Sequence, residues 1–198
     1  YVLDGPILSN SQFEKFLNFF KKNIKILDCT FNIKDGLKKR LNDLRSEAEA
    51  SVREGGTHLI LSDKAIDEKK ASIPMALAIG AINSRLVNMG IRGFASINVQ
   101  TSEVLDTHSF AVLLGVGATA INPYIAFDSI YQRYEKKLFG KLSFKECVER
   151  YVKSVDNGLL KIMSKMGISV LSAYRGGCNF EAVGLSRSVV AEYFPGMV

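Results

Sequence analysis

The sequence has no tryptophan, only two histidines, three cysteines and four prolines in 198 residues. Cys29, Cys147 and Cys178 stand far apart, which excludes a CxxC pair and an even-numbered disulfide framework. With His58 and His108 as the whole histidine complement, no His-rich ligand cluster can form, and no metal site is expected from this chain alone. No apolar run approaches the roughly 18 residues that cross a bilayer. The amino terminus also lacks the basic region and apolar core of a signal peptide. These absences lead to the expectation of a cytoplasmic protein with no membrane partner.

What is present describes a packed domain. Hydrophobic residues make up 47% of the chain and charged residues 23%, too apolar a balance for a disordered polypeptide. At roughly 100 to 200 residues per domain, residues 1–198 form one domain. The net charge of +6 and the pI of about 9.2 raise the question of nucleic acid. The basic residues, however, lie in short runs such as Lys38-Lys39-Arg40 and Lys136-Lys137, without a concentrated stripe or a nucleic-acid module. They read as solvated helix faces, so no nucleic acid is expected as a partner. The sequence starts at Tyr1, without an initiator Met, and runs directly into Gly5-Pro6-Ile7-Leu8. It is expected to be a segment of a longer protein.

The hydrophobic period changes repeatedly along the chain. Short apolar runs alternate with longer stretches whose apolar positions recur every three or four residues, the signature of βα units and a parallel sheet. The expected strands are 24–29, 58–62, 94–99, 118–122 and 168–173. Expected helices carry Leu37, Leu41, Leu44, Ala48 and Val52 after an Asp35 cap, then Leu77 to Met89 after Pro74. A third lies between Thr101 or Ser102 and Gly115. The longest stripe runs from Phe144 to Met166 and ends at Gly167, with Gly158 inside it marking a close helix contact. Residues 128–140 read as a polar helix or loop, and Ser186 to Tyr193 as a short helix before a Phe194-Pro195-Gly196 turn. The fold class is therefore α/β, a parallel sheet of about five strands, open or incomplete and TIM-barrel-like.

In such folds ligands gather at the carboxyl ends of the strands. The residues placed there are Asp28, Thr30, Asp63, Gln100, Asn122, Tyr124, Tyr174 and Arg175. No catalytic set stands out among them. His58 opens a strand at its amino end, and His108 reads as a packed or capping residue near a helix start. The best local anion-binding or interface candidate is Tyr174-Arg175-Gly176-Gly177, where an Arg and two glycines follow an apolar run. The bland alternative is a tight turn whose glycines permit positive φ.

Several segments together resemble a known family. Leu59-Ile60-Leu61-Ser62-Asp63 with Ile73-Pro74, His108 to Ala118, and Asn122-Pro123-Tyr124-Ile125-Ala126 are similar, in order, to the central domain of the glutamate synthase large subunit. So are Asn157 to Ser169, Tyr174-Arg175-Gly176-Gly177, and Phe180-Glu181-Ala182-Val183-Gly184-Leu185. The chain departs from that pattern at Ser109, where the family often has a second histidine, at Val116 in place of Tyr, and at Gly177-Cys178 in place of Ala-Gln.

The resemblance implies a part of an oxidoreductase that turns glutamine and 2-oxoglutarate into two glutamates. In that family an amidotransferase domain releases ammonia and a domain carrying FMN and an iron-sulfur cluster consumes it. The central domain links the two and helps form the ammonia path. No cofactor is then expected in this segment. Its partners would be the amidotransferase and FMN domains of the same polypeptide, and a reductase subunit. The rival reading is a self-contained barrel-type module for FMN or another phosphorylated ligand, bound through Arg175 to Gly177.

Overall fold

The structure is a computed structural model that describes residues 3–197; Tyr1, Val2 and Val198, within the expected 1–198 domain, lie outside the described residues. Four parallel strands form the central sheet in the order β1-β3-β5-β6. They are β1 (Ile24–Asp28), β3 (His58–Ser62), β5 (Ser96–Gln100) and β6 (Ala120–Asn122). The register is in phase: Ile24, His58 and Ser96 stand side by side at the amino end, and Asp28, Ser62 and Gln100 at the carboxyl end. A short antiparallel pair, β2 (Thr30–Asn32) and β4 (Lys70–Ser72), stands beside the carboxyl end of β1.

The continuous apolar run Leu59-Ile60-Leu61 is a strand because both of its faces are covered. On one face Leu27, Leu59, Leu61, Ile97, Val99 and Ile121 join the main core. The helices after the strands supply the other half of that core: α2 (Leu37–Arg53), α3 (Met75–Asn88), α4 (Thr107–Gly115) and α6 (Phe144–Lys165). The opposite face, which a closed barrel would turn inward, receives helix α1 (Asn10–Phe19) instead. Phe13 and Phe16 of that helix, with Leu8, bury themselves against Ile60 and Ala120 as a second cluster. Just before α1, Ile7 pairs in parallel with Ile121, so the β6 edge is covered by a single bridged residue. No barrel closes among the described residues, as expected.

Three expected elements differ. Residues 168–173 are not a strand. Gly167, at φ +70°, turns the chain after α6, and Ile168 N donates back to Met163 O. Leu171–Tyr174 then forms the helical turn α7, leaving Val170 exposed. The run Ile168-Ser169-Val170-Leu171 is apolar enough to resemble a strand, but its amides are used in local turns. Helix α4 is capped by Asp106 rather than Thr101 or Ser102, because both of those residues are bonded to Asp63. Helix α2 starts after Gly36, at φ +84°, rather than being capped by Asp35.

The polar stretch resolves into α5 (Tyr124–Glu135) and a turn, and the tail helix α8 spans Arg187–Tyr193 after a Ser186 cap. The close contact expected at Gly158 is present: a Cβ there would lie 2.5 Å from Thr107 Cγ2, where α6 crosses α4.

Candidate functional site

The parallel register brings one polar residue after another to the carboxyl end of the sheet. Asp63, immediately after β3, is fully buried. Its Oδ2 accepts from Thr101 Oγ1 at 2.8 Å, Ser102 N at 2.8 Å and Ser102 Oγ at 3.0 Å, while its Oδ1 accepts nothing. Thr101 and Ser102 follow β5, so the carboxylate ties two neighbouring strand ends together. Beside it, burial first and the Asp63 charge second push the Tyr124 phenol up to about 12. The Lys64 ammonium sits 5.0 Å from the centre of the Tyr124 ring, a cation–π distance. Burial also raises the Glu103 carboxyl, whose Oε2 accepts from Met75 N at 2.8 Å at the start of α3.

A second chain of hydrogen bonds crosses the sheet. Ser62 Oγ donates to Gln100 Oε1 at 3.1 Å, and Gln100 Nε2 donates to Asn122 Oδ1 at 3.2 Å. Asn122 Nδ2 in turn donates to Leu8 O and Asn10 Oδ1, both at 2.9 Å. Period-two geometry puts Ser62, Gln100 and Asn122 on the face that α1 covers, with Ser96 and Asn98 further down. There Asn98 Nδ2 donates to Ser96 Oγ, which also meets His58 Nδ1 at 2.7 Å. His58 packs against Phe16 and Phe20, and burial lowers its pKa.

The expected rim therefore separates into three places. Asp63, Gln100, Asn122 and Tyr124 converge at the carboxyl end. Asp28 and Thr30 stand at the β1 edge, bonded to each other, with Lys70 3.9 Å from Asp28. Tyr174, Arg175, Gly176 and Gly177 lie at the opposite, amino end of the sheet, where Gly176 N donates to Gly115 O at 2.8 Å. Tyr174 is buried in the main core, and Gly177 N reaches back to Tyr174 O.

Sequence reasoning did not place Ser62, Thr101 or Ser102 on the rim: it read the last two as a helix start, and their signal for the rim is their position at strand ends. It also missed Arg92, held near the start of β5 by Asn83 Oδ1, Ala95 O and Gly117 O. Burial, then the positive charge of Arg175, bring the Arg92 pKa down to about 10.

Neither histidine belongs to the carboxyl-end network. His58 is at the amino end of β3, and His108 is exposed on the first turn of α4 rather than packed. Burial drives the Cys29 thiol well above its ordinary pKa, so it stays an inert core residue. Among the described residues no three His, Cys, Asp or Glu side chains come together as metal ligands. No helix is long and apolar enough to cross a membrane.

Residues 1–186 match the sequence model of the family described as "Glutamate synthase central domain". The large chain of an NADPH glutamate synthase from Azospirillum brasilense is 47% identical over 99% of this chain, which covers 13% of that protein. The corresponding large chain from Bacillus subtilis is 40% identical over 96% of this chain and 12% of its own length. A chloroplastic ferredoxin-dependent glutamate synthase from Oryza sativa subsp. japonica is 40% identical over the whole chain and 13% of its own. The chain thus spans about an eighth of the relatives it matches. A flavocytochrome b2 variant with sulfite bound shares the fold at TM-score 0.53 and 13% identity, over 92% of this chain and 44% of its own.

Proposed function

Because this chain belongs to the glutamate synthase central domain family, we propose that it serves as the linking domain of a glutamate synthase large subunit, noncatalytic by itself. The whole polypeptide would convert glutamine and 2-oxoglutarate into two glutamates in the cytoplasm. An amidotransferase domain on one side and a domain with FMN and an iron-sulfur cluster on the other would supply the chemistry. A reductase subunit would deliver electrons. The chain's part is to hold those neighbours in register and to help form the path that ammonia takes between them.

The observation that carries this reading is that the polar side chains of the carboxyl-end rim bond mostly to one another, Asp63 Oδ1 being left without a donor. In a ligand-binding parallel sheet the side chains there point at a substrate. Here Ser62, Gln100, Asn122 and Asn10 bond to one another, and Asp63 Oδ2 is occupied by Thr101 and Ser102. The rim binds the sheet to α1 and to the 101–106 loop. The hydroxyl and amide groups along the α1-covered face suit an uncharged polar passenger better than aliphatic side chains would. The test is calorimetric titration of the chain with FMN, glutamine and 2-oxoglutarate, with an assay for glutamate. The expected result is neither tight binding nor turnover, and either one would overturn the reading.

A further inference from the structure

The turn after α7 holds a guanidinium with no acceptor. Arg175 Nε is buried and makes no hydrogen bond. Among the described residues neither Arg175 nor Arg92 enters an ion pair, all of which involve other side chains. Arg92 is anchored by three neutral oxygens, and burial first and the Arg175 charge second lower its pKa to about 10, so it keeps its positive charge at neutral pH without a negative partner. A buried donor left unpaired is destabilising, more so when it is charged. An acceptor that carries negative charge answers both the unpaired donor and the uncompensated charge.

The geometry also selects its kind. Gly176 N and Gly177 N are already committed to Gly115 O and Tyr174 O, so no backbone nest remains to cradle a phosphate. What remains is the planar fork of Arg175, whose spacing matches the two oxygens of a carboxylate. The flanking Gly176, Gly177 and Cys178 are exposed, which leaves an approach from solvent.

We propose that Arg92 and Arg175, at the amino end of the sheet, form a carboxylate-binding site. Arg175 takes both carboxylate oxygens, and Arg92 is a fixed positive charge beside them. The carboxylate belongs either to a small free acid or to an Asp or Glu side chain of an adjoining domain. The second source rests on the multidomain reading above.

The experiment has two arms. In the first, the 198-residue chain, labelled with 15N at arginine, is titrated with acetate, succinate and inorganic phosphate at constant ionic strength. The Arg175 Nε–Hε resonance is followed, assigned by its loss in R175K. In the second, R175Q is compared with the parent by thermal midpoint, both in this chain and in the full-length polypeptide that carries it. A saturable shift with acetate or succinate supports the site and identifies a free acid as its ligand, whatever the fate of the multidomain reading. No shift, with a fall in midpoint confined to the full-length polypeptide, supports the site and identifies an acidic side chain as its ligand. A response to phosphate alone overturns the proposal. So does silence in both arms, or an equal fall in both polypeptides, since Arg175 would then serve only its own turn.

Discussion

Asp63 has two oxygens in unlike surroundings, one with three donors and one with none. Replacing it with Ala would strand the buried Thr101 hydroxyl and leave the half-buried Ser102 amide and hydroxyl without their acceptor. The expected cost in D63A is about 3 kcal/mol, read as a lower urea midpoint. Ser102→Ala removes one of the three donors and should cost about 1 kcal/mol. An unchanged midpoint in D63A would mean that water enters and replaces the lost acceptor. At this scale the sequence was partly legible. Asp63, Gln100, Asn122 and Tyr124 are readable because they follow apolar runs, and strand ends are where a parallel sheet concentrates polar groups. The nearness of Arg92 to the Arg175 turn was not readable, since the two are far apart in sequence and are brought to the same end of α4 by bonds to Gly117 O and Gly115 O.

Helix α6 meets α4 where Gly158 faces Thr107. Alanine at 158 would gain about 1 kcal/mol of helix propensity. It would also place a methyl carbon 2.5 Å from Thr107 Cγ2 and 2.6 Å from Thr107 Oγ1. Overpacking of that kind costs about 1–3 kcal/mol, so G158A should be net destabilising. Thr107→Ala in the same chain should restore part of the loss. Chemical denaturation of both single variants and the double variant measures the coupling, and additive effects would separate the two positions. The glycine announced this contact because it interrupts a helix stripe that has no other reason to tolerate it. The misreading of residues 168–173 has the opposite cause. Short apolar runs do not declare their period, and here a positive-φ glycine and local turn bonds decided for helix.

Across the whole molecule, α1 performs a task that nothing in its own sequence reveals. Its phenylalanines read as an ordinary amphipathic stripe, but the face they cover is the one a barrel would close around. Removal of residues 1–20 would expose Ile60 and Ala120 and eliminate the burial of Leu8, Phe13 and Phe16. Three such side chains contribute roughly 5–9 kcal/mol at about 1.5–3 each, comparable to the 5–15 kcal/mol stability of a typical domain. The truncated chain should bind a hydrophobic dye and lose its sharp unfolding transition by circular dichroism. Retention of a cooperative transition would show that the main core stands without the inner layer. The parallel α/β class was legible because the change of hydrophobic period repeats four times. The inner helix was not, because the side of a sheet on which a helix lands is settled by tertiary packing.

The two lateral borders of the sheet are unequal. Beyond β6 the chain lays Ile7 across the margin, whereas β1 presents Lys25 and the 58%-exposed Ile26 with no strand alongside among the described residues. A lone lysine is a modest guard against unwanted pairing. Enlargement of this scaffold by insertion or by recruitment of a foreign strand therefore has a preferred direction. It can proceed outward from β1 without displacing a described strand of the sheet, while growth from the far margin must first evict the amino-terminal segment and the helix that follows it.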